Sequence, residues 1–200
     1  MKFFYDMHIH SDLSPCGSED MTPNNIVNMA CIKGLNIISV TDHNAADNLP
    51  AAMELCNSSG IKLIPGIEVT TREEVHVLCY FKDIYNALEY GDLIYNSLPD
   101  IPNTPSIFGR QNIYNSRDEI TGTLDKLLLS TSGYTLTEIC SITEQYHGIM
   151  IPAHINKKSN GLLGVLGFIP PDIRIKFVEI YANTSVDARL IKNLNILKNS

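Results

Sequence analysis

KFFYDMHIHSD, residues 2–12, decides how the rest of the chain is read. KFFYDMHI reads as a β-strand, and it runs straight into a His-x-His pair, His8 and His10. Side chains alternate across a strand, so both imidazoles point the same way, about 7 Å apart along the backbone. That separation lets both rings reach one ion. The plain alternative is two polar residues at the end of an ordinary strand. The later strands decide between the two.

Strand and helix signals alternate through residue 82. Thr22-Pro23 offers an N-cap and a Pro at the first helical position, and NNIVNMACIK follows with Ile26, Val27 and Ala30 on one face. Gly34 is placed to end that helix. NIISVTD reads as a short buried strand, AADNLPAAMELCNSS as a helix stopped by Gly60, IKLIPGIEV as a third strand and EEVHVLCYF as a fourth. This order predicts parallel β-α units. Residues 83–98 read as a helix that Pro99 stops, and 99–123 as a turn-rich, irregular excursion. Thr135 with Glu138 is a capping-box pattern opening TEICSITEQYH, which Gly148 ends. IMIPAH is the next strand, NKKSNGLLG a loop, KFVEIYA a strand and VDARLIKNLNILKN a last helix. The 200 residues show no internal repeat or interdomain linker and read as one domain, 1–200.

Net charge is −7, which argues against a general nucleic-acid-binding surface but not against a phosphorylated substrate, because bound cations reverse the local sign. No apolar run is long enough to cross a bilayer, and the N-terminus lacks a secretory pattern, so a soluble, cytoplasmic protein is expected. Five cysteines without a C-x-x-C pair argue against a disulfide framework. Cys31, Cys56, Cys79 and Cys140 are expected in the core. Cys16 differs: it sits in SPCGS, a turn close behind the two histidines.

Polar residues recur at strand ends. NIISVTDH ends in Asp42-His43, IKLIPGIEV runs into Glu68 after Pro65-Gly66, EEVHVLCYF carries His76, and IMIPAH ends in His154. In parallel α/β folds the C-terminal strand ends converge on one rim, so residues distant in sequence meet there. Imidazole with carboxylate suits zinc, manganese or iron. Taken singly, each has a bland reading: a strand-end histidine is more often just hydrogen-bonded, Glu68 fits a surface or helix-cap carboxylate, and His76 beside Leu78 and Tyr80 fits a satisfied core residue. His147, at a helix end, reads as favouring that terminus. The recurrence, not any one residue, points to a metal site.

HIHSDLSPCG, VTDHN, PGIEVTTREEVHVLCYF and IPAHI, in that order, resemble the successive motifs of the PHP domain, the polymerase and histidinol phosphatase family of metal-dependent phosphoesterases. The resemblance runs from about residue 3 to about residue 182. It implies an α/β fold, a distorted (β/α)7 TIM-like barrel with up to three divalent ions (Zn, Mn or Fe) at its rim. It assigns catalysis to His8, His10, His43, Glu68 and His154. It makes His8 and His10 ligands of a first ion, Glu68 a bridge, His76 and His154 ligands of a second ion, and His43 a ligand of a third with Asp42 orienting it. A further ligand is expected shortly after His-x-His, Cys16 by spacing or Asp12 by chemistry, with Cys16 preferred.

One departure stands out. The family carries a late Asp-x-His after a further strand, whereas no histidine follows His154 here. Asp187, in the last helix pattern, is a poor substitute. The expectation is a C-terminally truncated domain lacking its last strand or strands, with the second ion site complete and the other two incomplete.

The implied reaction is hydrolysis of a phosphate ester, on a phosphorylated small molecule or a short oligonucleotide, by metal-activated water. Asn44, Lys157 and Lys158 are candidate substrate-binding residues, and Arg72 is a further flanking cation. Rival readings are a metal-dependent hydrolase of another bond and a PHP-like module without activity. No strand-end lysine suggests a carbamylated bridge, which tilts against the amidohydrolase pattern. Oligomeric state is not legible.

Overall fold

The computed structural model describes residues 2–182 and 184–197. Strand β1 (Tyr5–Ile9), helix α1 (Pro23–Ile32), strand β2 (Ile37–Val40) and helix α2 (Leu49–Ser59) come first. Then come β3 (Lys62–Leu63), β4 (Gly66–Thr70), β5 (His76–Tyr80) and α3 (Ile84–Ser97). Helix α4 (Pro105–Phe108), β6 (Asn112–Tyr114) and β7 (Ile120–Thr123) build the excursion. The chain continues through α5 (Leu136–Gln145), β8 (Ile149–Pro152), α6 (Leu162–Val165), β9 (Phe177–Glu179) and β10 (Asn195–Leu197).

The helix boundaries follow local chemistry. Thr22 accepts from the Asn25 amide and Pro23 opens α1, while Gly34 leaves it at φ +68°, a left-handed conformation that suits glycine. Thr135 and Glu138 satisfy each other's backbone amides in a full capping box at α5. Asp83 caps α3 through the Asn86 amide.

Strands β1, β2 and β3 pair in parallel. Two sequence expectations change after them. IKLIPGIEV is not one strand: Pro65 has no amide to donate, and the run divides into β3, beside β2, and β4, beside β5. And β4, β5 and β8 pair antiparallel, not as parallel β-α units. Only Thr71 to Val75 separate β4 from β5, too few residues for a crossover, so the chain reverses in a hairpin. The parallel bridge between His43 and Glu68 joins the first sheet to the second. Ile155 donates to the Glu179 carbonyl, joining the end of β8 to the end of β9, and β9 pairs in parallel with β10. Strands β1, β2, β4, β8 and β9 therefore bring their C-terminal portions to one rim, and β5 enters that rim at its N-terminal end, His76.

The main core lies between the strands and α1, α2, α3 and α5, with Ile26, Ala52, Tyr90 and Ile139 among its buried side chains. Val77 and Cys79 of β5 join this helix-facing core, while Leu78 and Tyr80 face the other way and pack with Ile151 and Ala153. The Tyr80 hydroxyl donates to the Met7 carbonyl at 2.6 Å, tying β5 to β1 across the curl of strands. No closed sheet is found among the described residues.

The last helix is not formed. Residues 188–194 are turns and bends, and Asn195–Leu197 lie along β9 as β10. An isolated helix of that length is marginal in water, whereas the open edge of β9 offers backbone partners. Asp187 sits exposed in this segment, paired with Arg189. A strand thus pairs with β9 where the sequence reading has a helix. Cys31 is exposed and Cys140 half-buried; only Cys56 and Cys79 are core cysteines. No helix is long and apolar enough to cross a membrane among the described residues.

Candidate metal centre

Glu68 sits in the middle of β4, 1% exposed, and five imidazoles surround its carboxylate. Its Oε1 lies 3.3 Å from His8 Nε2, 3.1 Å from His76 Nδ1 and 3.2 Å from His154 Nε2. Its Oε2 lies 3.2 Å from His10 Nε2 and 3.3 Å from His43 Nδ1. His8 Nε2 and His10 Nε2 are 3.1 Å apart. The strand arrangement produces this: β1 delivers two rings, the residues after β2 and β8 deliver one each, and the β4–β5 hairpin delivers Glu68 with His76.

The second nitrogens of the β1 pair are fixed. Glu179 presents both carboxylate oxygens to His8 Nδ1 at 3.0 Å. A carboxylate only accepts, so the Nδ1 proton of His8 is held there and Nε2 faces Glu68. His10 Nδ1 lies 3.0 Å from Ser14 Oγ, and Ser14 donates its one proton to Asp42 at 2.7 Å. Ser14 must then accept from His10, which directs His10 Nε2 inward by the same logic. Ser14 also accepts from the His43 amide, and Asp42 further accepts from the amide and hydroxyl of Ser11. Asp42 therefore acts on His10, through Ser14, rather than on the His43 ring as the sequence suggested.

The charges interlock. Burial pushes Glu68 up, but His8, His43, His10 and His154 outweigh it and hold the carboxyl well below its usual range. Burial pushes His8 down, yet Glu68 and Glu179 overcome it and raise His8 to about 10. His43 goes the other way: its burial dominates and holds it well below the usual histidine value. Buried Nδ1 atoms of His43 and His154 have no hydrogen-bond partner among the described residues. That of His43 is near Glu68 but off the axis a hydrogen bond needs. His154 has a left-handed φ of +28°, rare for a residue with a side chain, and its amide donates to Glu179 at 2.8 Å.

Three overlapping groups have ligand atoms all within 4.8 Å of one another: His8, His10 and Glu68; His43, Glu68 and His76; His10, Cys16 and His43. The unpartnered His43 Nδ1 facing Glu68, the clustered imidazoles and the central carboxylate are a donor set that fits divalent transition ions. Cys16 belongs to the cluster by position, although burial, with Glu68 and Asp42 nearby, pushes its thiol up to about 11. Asp12 is turned away: its carboxylate accepts from Asn112 and Tyr114 of the excursion at 2.7 and 2.6 Å. Asn48 bridges the same regions, donating to Ser11 Oγ and to the Asn112 carbonyl. The excursion is thus tied by buried polar contacts to the loop that carries Ser14 and Cys16.

Asn44 is a correction. It is fully buried; its amide donates to the Leu128 and Ser130 carbonyls and accepts from the Thr70 amide, leaving nothing for a phosphate. Arg72 binds the Gly133 carbonyl and pairs with Glu138, so it too serves the scaffold. Lys157 lines the cleft of about 570 Å³ over the cluster, with Cys16, Glu179 and Tyr181. Lys158 lines an adjoining cleft. Sequence reasoning passed over Glu179 and Ser14. Glu179 carried the same signal as the others, a polar residue ending a strand, in KFVEIYA; Ser14 had none.

A family model, the PHP domain, matches residues 6–163. The chain belongs to the PHP domain family. The 5'-3' exoribonuclease Rnm of Salmonella typhimurium is 33% identical over 79 residues, 37% of this chain and 26% of that protein. The matched stretch therefore spans about a quarter of that relative. Among solved structures, the lesion-specific endonuclease PfuEndoQ of Pyrococcus furiosus aligns with TM-score 0.68 at 21% identity, over 100% of this chain and 48% of that one. A candidate metal-dependent phosphoesterase from Bifidobacterium adolescentis aligns with TM-score 0.67 at 16% identity, over 100% of this chain and 87% of that one. At these identities the structural likeness speaks to the PHP fold alone.

Proposed function

We propose that this PHP domain is a metal-dependent phosphoesterase that hydrolyses a phosphodiester in a short oligonucleotide. The observation that carries the proposal is the single buried carboxylate of Glu68 touched by His8, His10, His43, His76 and His154. A curated relative named as a 5'-3' exoribonuclease supports the choice of substrate.

His8, His10, His43, His76, His154 and Cys16 would hold the ions, with Glu68 dividing its two oxygens between neighbouring positions. Zinc, manganese or iron, up to three ions, suit these donors. Bound there, the ions would supply an activated water and neutralise charge building on the phosphoryl oxygens. Glu179 and Ser14 hold the first two rings in register. Lys157 and Lys158 attract the substrate's phosphates to a chain whose net charge is −7. The leaving alkoxide would take its proton from water in the cleft, since every cluster imidazole is assigned to an ion.

The curl of strands, tied by Tyr80 to Met7, would then be part of a distorted (β/α)7 barrel, with residues 1–200 forming a single domain. Five free cysteines fit a cytoplasmic location. The test loads the purified chain with manganese or zinc and follows hydrolysis of a generic phosphodiester beside an amide substrate. Phosphodiester cleavage that chelation abolishes supports the proposal. Amide cleavage alone, or phosphodiester cleavage that survives both chelation and the His8→Ala/His10→Ala double variant, refutes it.

A further inference from the structure

We infer that the cleft adjoining the metal centre is a nucleotide subsite, in which Tyr181 stacks on a nucleobase while Lys157 and Lys158 hold a phosphate next to the scissile one. The inference rests on the phosphoesterase reading for its orientation, because it takes the scissile group to lie over the cluster. It names what that reading leaves open: a single-stranded oligonucleotide recognised through a base as well as through its phosphates.

The two clefts adjoin. The one over the cluster and the adjoining one of about 380 Å³ share His76, His154, Lys157 and Tyr181 as walls. Beyond those the second cleft is lined by Lys158, Ser159 and Asn160, with no carboxylate among the described residues. In an acidic chain, two ammonium groups without an acid between them make a local anion-attracting surface. A substrate reaching from the cluster into this cleft meets the Tyr181 ring and the two lysines that line it.

The backbone that carries the ring is held in place by the fold. Asn156 donates from Nδ2 to the Tyr181 carbonyl at 2.9 Å and accepts at Oδ1 from the Tyr181 amide at 2.8 Å. Two residues earlier, Glu179 is bound to His8 and to the His154 amide. The same short segment that orients a candidate metal ligand therefore sets the backbone from which the ring projects. The Tyr181 residue remains 40% exposed, and Lys157 Nζ lies over one face of the ring, 4.9 Å from its centre, so a base would stack on the other face. Ring and ammonium form one composite surface, suited to a planar base beside a phosphate. Gly161 and Gly164 let this lysine turn close tightly: a Cβ on either would strike the Lys157 carbonyl.

Stacking needs an unstacked base, so a single strand fits and a paired duplex does not. Binding is measured by fluorescence anisotropy, using the purified chain with its metal and hydrolysis-resistant, phosphorothioate-linked tetraadenylate. A base-free phosphorothioate of the same length is the comparison. We expect wild type to prefer the base-bearing strand by about tenfold, a factor typical of one stacked base. Tyr181→Ala should abolish the preference and Tyr181→Phe should keep it. Lys157→Gln with Lys158→Gln should weaken both strands alike and flatten their salt dependence. Equal binding of the two strands by wild type, or a preference that survives in Tyr181→Ala, overturns the inference. Because binding is read without turnover, these outcomes are separate from a failure to hydrolyse phosphoesters, which would sink the phosphoesterase reading instead.

Discussion

The two sides of the metal centre are held by different means. On the β1 side, His8 and His10 have their Nδ1 atoms engaged, by Glu179 and by Ser14 backed by Asp42. On the other, His43 and His154 keep buried Nδ1 atoms with no hydrogen-bond partner among the described residues, and His154 carries a strained backbone. A buried polar atom left unsatisfied costs about 1–3 kcal/mol. The first side is thus oriented by the protein alone. On the second, the His43 Nδ1 that faces Glu68 is left in a state that a cation would relieve. Ion binding should accordingly tighten the His43–His154 side more than the β1 side.

The largest effect should come from the residue both sides share. Glu68→Gln removes the charge that faces all five rings, so the variant should lose its bound ions and at least about a thousandfold in phosphodiester hydrolysis. Metal analysis and initial rates check this, with circular dichroism confirming the fold. Next is the ion itself: loading at about 1,000 times the dissociation constant should stabilise the chain by about 4 kcal/mol. Hydrogen exchange should show protection rising around residues 43 and 154 more than around 8 and 10. Equal protection on both sides would erase the distinction drawn here.

Smaller effects separate the supports. Glu179→Gln should weaken metal affinity by about 10–100-fold, because it loosens His8 without removing a ligand. Asp12→Asn should cost about 1–2 kcal/mol of stability by disturbing the Asn112 and Tyr114 contacts, with a smaller loss of affinity than Glu179→Gln. Titration of the metal into each variant ranks them.

The β1 side also has a pH signature. Without metal, His8 has its folded value raised to about 10 from 6.5, so it stabilises the chain fully below about pH 6.5. That contribution is lost as pH rises through about 10. Urea melts in chelator between about pH 6 and about pH 10 should show falling stability in wild type and a flatter trend in His8→Gln.

The same contrast explains what the sequence could and could not tell. Residues fixed by local chemistry were legible: the Thr22 and Thr135 caps, the left-handed Gly34, the strand carrying His8 and His10. The cluster histidines were legible because each opens, ends or closely follows a strand, and parallel strands share a rim. Glu179 obeyed the same rule and was passed over, since attention went to histidines. The β4–β5 hairpin was missed because apolar runs look alike in parallel and antiparallel pairing. β10 was read as a helix because its apolar spacing fits one, and only the free edge of β9, invisible locally, overrides that. Asn44 looked functional from its place beside His43. Its role in holding Leu128 and Ser130 depends on contacts more than eighty residues away.

The central claim is that Glu68 gathers five imidazoles into a metal centre that cleaves phosphodiesters. Metal analysis of the purified chain, after zinc or manganese is offered and excess removed, tests it most directly when Glu68→Gln is carried alongside. The account predicts that wild type retains divalent ions and that the variant retains few or none. A wild-type chain that binds no ion, or a variant that keeps the wild-type complement, would contradict it.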